Sequence, residues 1–181
     1  MLNEKSKKSW PPSESLRVVL YPNHTLFVEA EEVTDFDDEL KARCERLAFV
    51  LESMPNGIGL AANQVGWLQR VFIVLTNLNE ANTDRVSKVY INPRVVEEEG
   101  KTPGMEGCLS FPGINGTVTR SEKITIIAQD ESGKEFTETF DGLQARCFLH
   151  ELDHLNGINF VDHLSGKELS KARVQMKRIK R

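Results

Sequence analysis

The sequence lacks any long apolar run: stretches such as Val71 to Leu75 stop far short of the ~20 residues that cross a bilayer, so no membrane-spanning helix and no membrane partner are expected. It has little cysteine. Cys44, Cys108 and Cys147 are odd in number and widely spaced, which excludes a disulfide framework. No apolar run of signal-peptide type opens the chain, and with the free thiols this predicts a reducing compartment. A bacterial-type cytoplasm, an organelle and a viral origin all fit. Positive charge is not in excess either: 23 Lys and Arg stand against 27 Asp and Glu, a formal net charge of −4. Such a chain has no overall attraction to nucleic acid or anionic lipid, and no direct DNA binding is expected. Finally, the glycine-rich stretch Gly57 to Gly66 lacks the Gly-Lys-Ser/Thr ending of a nucleotide loop and the spacing of a dinucleotide fingerprint.

What remains suits one domain of 181 residues, long enough to bury a core without disulfide or metal staples, so any metal it holds is functional. Residues 1–14, with Lys5, Lys7, Lys8, Pro11 and Pro12, predict a flexible arm. Arg17 to Leu20 is expected to be a short strand entering a turn at Tyr21-Pro22-Asn23. Phe36, Leu40, Cys44, Leu47, Leu51 and Met54 fall at helical spacing, which predicts a helix from Asp35 to Met54, capped by Thr34 or Asp35, with Cys44 in the core. Strands are expected at Arg70 to Leu75, Val89 to Ile91, Val95 to Glu98, Val118 to Arg120 and Ile124 to Gln129. The last is paired through an Asp130 to Gly133 turn with Lys134 to Phe140. Ile158 to Val161 reads as another short strand. Ser165 can cap a terminal helix with a stripe of Leu169, Ala172, Met176 and Ile179. The fold class is therefore α+β, mostly antiparallel sheet packed around a central helix, with an N-terminal and a C-terminal helix.

That central helix carries the chemistry. In Phe148 to Gly157 the run His150-Glu151-x-x-His154 puts two imidazoles four residues apart on one helical face, able to hold one metal ion with Glu151 beside it. Two imidazoles leave the site incomplete. On a helical wheel Leu143, Arg146, Cys147, His150, Glu151 and His154 share one side, and Ala145, Phe148, Leu152 and Leu155 the other, so the helix lines a cleft with one face and packs on the sheet with the other. Upstream, small residues around Gln64 permit close approach of backbone to a ligand, or only tight packing. Cys108, in a loop between glycines and a proline, reads as a buried small residue, a reactive thiol or a metal ligand.

In order, Gly57-x-Gly59-Leu60-Ala61-Ala62-x-Gln64, Glu106-Gly107-Cys108-Leu109-Ser110 and His150-Glu151-x-Asp153-His154 resemble the three signature motifs of peptide deformylases. The likeness runs from about Tyr21 to about Ser165, within an expected catalytic domain of 15–165 followed by a basic C-terminal helix over 166–181. The resemblance implies an enzyme that hydrolyses the N-formyl group from the initiator formyl-methionine of nascent polypeptides, releasing formate. It implies Cys108, His150 and His154 as ligands of one divalent ion: ferrous iron, with zinc, nickel or cobalt also accepted. It implies Glu151 as the proton-transferring group, and the Gln64 side chain and Leu109 backbone N–H as donors to the oxyanion. Ile58, Gly59, Gly107, Arg146 and Cys147 match substrate-binding positions; Arg146 suits an apolar pocket only if its stem lines the wall and its charge reaches solvent. Arg120 and Asp153 match a pair that fixes the helix, although an ordinary structural ion pair explains them as well. Family members commonly have glutamine where this chain has Leu149, so a hydrogen bond behind the ligands is expected to be lost, not a ligand.

Two alternatives stand beside this reading. A zinc metallopeptidase would take its third ligand downstream, and His163 lies nine residues after His154. A catalytically weak formyl-peptide-binding or ribosome-binding relative draws on Leu149 and on the basic tail of Lys167, Lys171, Arg173, Lys177, Arg178, Lys180 and Arg181. Resemblance to the family also implies a ribosome contact through that tail. A monomer is expected.

Overall fold

Period-two and helical patterns in the chain resolve into two antiparallel sheets and three α-helices in the computed structural model, which describes residues 16–76 and 85–179. The expected N-terminal arm lies outside the described residues. A helix α1 (Asp38–Glu52) precedes β1 (Gly59–Ala61), β2 (Val71–Leu75) and β3 (Ser87–Glu99). The hairpin β4 (Thr102–Cys108) and β5 (Phe111–Arg120) follows, then β6 (Lys123–Gln129), β7 (Glu135–Asp141), α2 (Gly142–Leu155) and α3 (Gly166–Met176). One sheet has the order β1-β2-β3-β6-β7 and the other is the β4-β5 hairpin alone.

Strand β2 shows why the large sheet is buried on both sides. Its residues alternate between two apolar clusters: Val71, Ile73 and Leu75 pack with Leu40, Cys44, Leu47 and Leu51 of α1, whereas Phe72 and Val74 pack with Ala145, Phe148 and Leu155 of α2. The two helices thus cover opposite faces of the sheet. A third cluster joins Phe111, Ile114 and Val118 of β5 to Phe160, Val161 and Leu164 and to Ala172 of α3. Half-buried Leu169, Met176 and Ile179 complete that contact, as the apolar stripe predicts. Central helix α2 therefore lies on the large sheet with one face and turns the other toward the hairpin, the arrangement expected of the α+β class.

Four local expectations are corrected. Helix α1 begins later than Asp35, because Asp37 takes the capping position and its Oδ1 accepts from the Leu40 N–H at 2.9 Å. The two strands expected on either side of Asn92-Pro93 are one strand, β3. Pro93 has no N–H to give the ladder, and a register shift between Ile91 and Arg94 absorbs the interruption while the Asn92 side chain bonds Val33 and Gln129. Segment 17–20 forms no strand; it is tied to the 3-10 turn after β1 by the Val19 N–H donating to Gln64 O (2.8 Å), and the following Tyr21 N–H donates to Ser110 O in the β4–β5 turn (3.0 Å). Ile158 to Val161 is not a strand either: a 3-10 turn covers Phe160–His163, tied by the Asn159 N–H to Asp162 Oδ2.

Phe148 is the keystone between α2 and the sheet, 1 % exposed with its ring 4.7 Å from Phe72, 5.3 Å from Tyr90 and 5.5 Å from Phe140. Truncating such a side chain removes its transfer energy and leaves a cavity. Phe148→Ala should cost about 3–5 kcal/mol in urea unfolding; a loss below about 1 kcal/mol would show that the helix is not held this way.

Candidate metal centre

Cys108 ends β4 at the tight turn into β5, and the bulge between Gly107 and Cys108 turns its thiol out of the hairpin ladder toward α2. The expected loop around this cysteine is thus a β-hairpin. On α2 the four-residue spacing brings His150 and His154 to the same face. Sγ of Cys108 and one ring nitrogen from each histidine lie within 4.8 Å of one another, a group that could hold a metal ion, with Sγ 3.2 Å from His154 Nε2. One soft thiolate and two imidazoles suit zinc, iron, nickel or cobalt and leave a coordination position open.

One of the two imidazoles, that of His150, has a carboxylate behind it. His150 Nδ1 lies 2.9 Å from Glu106 Oε2, which leaves Nε2 to face an ion. Glu106 also receives Arg120, through Nε at 2.9 Å and Nη2 at 3.0 Å, and Arg146 Nη1 at 2.9 Å. Burial alone would raise the Glu106 carboxyl, but the bonds from His150 and Arg120 win and hold it down to about 2. Burial likewise works against a charged His150, yet its contacts with Cys108 and Glu106 and the charge of Glu151 push it well above the usual histidine range. His154 is fully buried and moves the other way: burial first, then the charges of His150 and Arg120, push it well below the usual histidine range, the direction that favours the neutral imidazole able to ligate a metal.

Glu151 follows His150 by one residue, and the helical turn of ~100° points it at β1 instead of the hairpin. A Cβ on Gly59 would come within 2.5 Å of Glu151 Oε1 and 2.8 Å of Cys147 Sγ, so glycine there lets the carboxylate sit against the strand. The close approach expected of this small-residue segment is real, but the group admitted is a side chain of the chain itself. Glu151 is 3 % exposed, and its Oε2 has no hydrogen-bond partner among the described residues. Burial is the main reason its carboxyl is pushed up to about 7. Gln64 arrives from the 3-10 turn after β1. Its Oε1 is fixed by the Ala61 N–H at 2.9 Å, which directs Nε2 toward Cys108 Sγ (3.4 Å) and Ser110 Oγ (3.3 Å).

These groups share one cavity of about 540 Å³, whose walls include Ile58, Gly59, Gln64, Gly107, Cys108, Leu109, Leu143, Arg146, Cys147, His150 and Glu151. Residues that the sequence distributes over three motifs therefore meet at one place. One expectation changes. The Arg146 charge does not reach solvent: besides Glu106 it donates to the carbonyls of Thr102 (2.8 Å) and Val118 (2.8 Å), behind the pocket wall. Leu149 is half-buried against the cluster of Phe72 and Phe148, on the sheet side of α2 and away from the cavity. The Arg120–Asp153 pair is present. His163 is engaged by Asp153 at 2.7 Å and is no part of the metal-competent group, which removes the third ligand of the metallopeptidase reading. Sequence reasoning passed over Glu106 as the partner of His150, although its place two residues before Cys108 on the same strand marks it as facing the same way.

The contacts of His150 favour its protonated form and an ion has to displace that proton, so binding should weaken as the pH falls, by about tenfold per unit for each proton displaced. Competition with a chelator at several pH values measures this; an affinity independent of pH through neutrality would contradict it.

The family model for polypeptide deformylase matches residues 15–170. The chain is 40 % identical over 163 residues to a peptide deformylase of Chromobacterium violaceum, covering 90 % of this chain and 95 % of that protein. It is 42 % identical over 168 residues to a peptide deformylase of Neisseria meningitidis, covering 92 % and 95 %. A crystal structure of peptide deformylase from Plasmodium falciparum superposes with a TM-score of 0.82 at 36 % identity, over 90 % of this chain and 94 % of the other. With three motifs converging on one metal-competent pocket and the whole-chain likeness agreeing, this chain belongs to the peptide deformylase family.

Proposed function

We propose that the protein hydrolyses the N-formyl group from formyl-methionyl peptides, releasing formate and a free α-amine. The observation that carries this reading is Glu151, whose buried Oε2 has no hydrogen-bond partner among the described residues, lining the same cavity as Cys108, His150 and Gln64, with His154 completing the metal-competent group behind them. Cys108, His150 and His154 would hold the ion, ferrous iron being the family expectation and zinc, nickel or cobalt acceptable to the same donors. When bound, the ion supplies Lewis acidity toward water and the formyl carbonyl. The protein's own groups do the rest. Glu151, with a carboxyl near neutrality, takes the proton of the attacking water and returns it to the departing amine. Gln64 Nε2, its amide locked by Ala61, donates to the oxygen that becomes an oxyanion, and the Leu109 N–H at the hairpin turn is the second donor.

Substrate placement follows from the free strand edges. β1 is the outer strand of the large sheet, and among the described residues β4 pairs only with β5, so an extended peptide can lie between Gly57–Gly59 and Glu106–Cys108 at the cavity mouth. The methionine side chain then enters a wall made by Ile58, Leu143, Cys147 and the Arg146 stem. The Arg146 guanidinium is engaged behind this wall by Glu106 and by the carbonyls of Thr102 and Val118. The exposed basic residues of α3 and its end, Lys167, Lys171, Arg173, Lys177 and Arg178, support an anionic partner such as the ribosome for nascent-chain delivery.

Formate release from a formyl-Met peptide tests the reaction directly. Glu151→Gln should keep its metal, measured by elemental analysis, and lose about 10²–10⁴-fold in turnover; a metal-loaded wild type that releases no formate would overturn the proposal. Gln64→Leu should lower kcat about 10²–10³-fold with KM little changed, and an effect confined to KM would reassign Gln64 to substrate binding.

A further inference from the structure

His163 takes no part in the reading above, yet it closes a continuous line of contacts that ends on a metal-competent histidine. Its Nε2 lies 2.7 Å from Asp153 Oδ2, and the same oxygen accepts from Arg120 Nη1. The two donors stand 3.5 Å apart. With a carboxylate in front of it, Nε2 carries the proton and cannot also accept from arginine, so both groups converge as donors on one oxygen. Arg120, 7 % exposed, reaches in the other direction to both oxygens of Glu106, and Glu106 Oε2 faces His150 Nδ1 at 2.9 Å. Arg120, Glu106 and His150 are buried and Asp153 is half-buried, and the two central contacts of the line join a guanidinium to carboxylates. Only its outer end, the His163 side chain, is exposed, at 36 %.

Geometry gives the outer end leverage. Asp153 sits on α2 between the two metal-competent histidines in sequence, and His163 belongs to the 3-10 turn that packs β5 against α3. Holding Asp153 from outside fixes the oxygen on which Arg120 rests. Arg120 in turn fixes the plane of Glu106, and Glu106 sets the rotation of the His150 ring. Hydrogen-bonded groups behind ligating histidines set ring orientation and ligand basicity in this manner. We propose that His163 is a positioning residue for His150, acting through Asp153, Arg120 and Glu106. This rests on the reading of Cys108, His150 and His154 as the metal-holding group.

His163→Ala and His163→Leu each remove the donor at a half-open surface position, and His163→Gln restores an N–H near the place of Nε2. Full-length proteins are loaded with Co²⁺, and three properties are measured: the visible absorption of the bound ion, the rate of its loss to a chelator, and thermal unfolding. Removing a group that directly holds a ligating histidine typically costs about 10–100-fold in metal affinity, and this position is further out. The two non-donor variants should therefore lose cobalt about 3–10 times faster than wild type and show a shifted absorption band, with both effects reversed in the glutamine variant. Wild-type absorption and loss rate in both non-donor variants would overturn the proposal. So would a change confined to the melting temperature, which is what a merely structural contact would give. A wild-type protein that takes up no cobalt would overturn the metal-site reading itself, and this inference with it.

Discussion

The Glu106 carboxylate, buried between two guanidinium groups and an imidazole, is the contact on which the rest of the site depends. It is a costly arrangement: removing one partner from a buried ionic group commonly destabilises a fold by about 3–5 kcal/mol, because the other charges stay behind unpaired. The arrangement is tolerable here because the donors saturate the acceptors. Arg120 faces both oxygens, Arg146 shares one and His150 the other. Glu106 comes from β4, Arg120 from β5, and Arg146 and His150 from α2, so one carboxylate stitches the hairpin to the helix. That stitch brings Cys108, two residues beyond Glu106, opposite His150 and His154.

Hydrophobic packing supplies the other half of the frame. Phe148 and Leu155 seat α2 on the large sheet, while the opposite side of the same helix carries the polar groups of the cavity. Helical pitch alone separates the tasks of adjacent residues. His150 turns to the hairpin and its carboxylate anchor, Glu151 turns to β1, and the missing side chain of Gly59 makes the room. The candidate metal-holding and proton-transferring groups thus stand side by side without sharing a hydrogen-bond partner.

Much of this is written locally in the chain, and the part that is not has a physical reason. Helical spacing and the turn at Asp130 are properties of a few neighbouring residues, and α1, α2 and the β6-β7 hairpin appear where those patterns lie. The two histidines share a face through helical geometry, which needs no knowledge of the fold. Cys108 is different. Alone it had three readings, and only the order of three motifs tied it to the histidines. Short-range signals also mislead where tertiary pairing decides: Asn92-Pro93 reads as a break, but the neighbouring strands hold β3 through it. In 158–161 apolar residues suggest a strand, but Asn159, bound to Leu26 O and to Asp162, folds the segment into a 3-10 turn.

Arg146 shows why charge in a pocket wall cannot be judged residue by residue. Its position on the cavity side of α2 is plain from the helical wheel, and a cation there seems to conflict with an apolar methionine side chain. The conflict would hold if the guanidinium were free, since an unpaired charge beside a dry pocket costs several kcal/mol. Instead the head group lies over Gly104, where a Cβ would stand 2.6 Å from its Cζ, and it is taken up by Glu106 and by strand carbonyls on both sides of the hairpin. Only its methylene stem is left to the cavity. Glycine on β4, glutamate two residues later and arginine on α2 therefore form one unit, which ties the guanidinium into hydrogen bonds behind the wall.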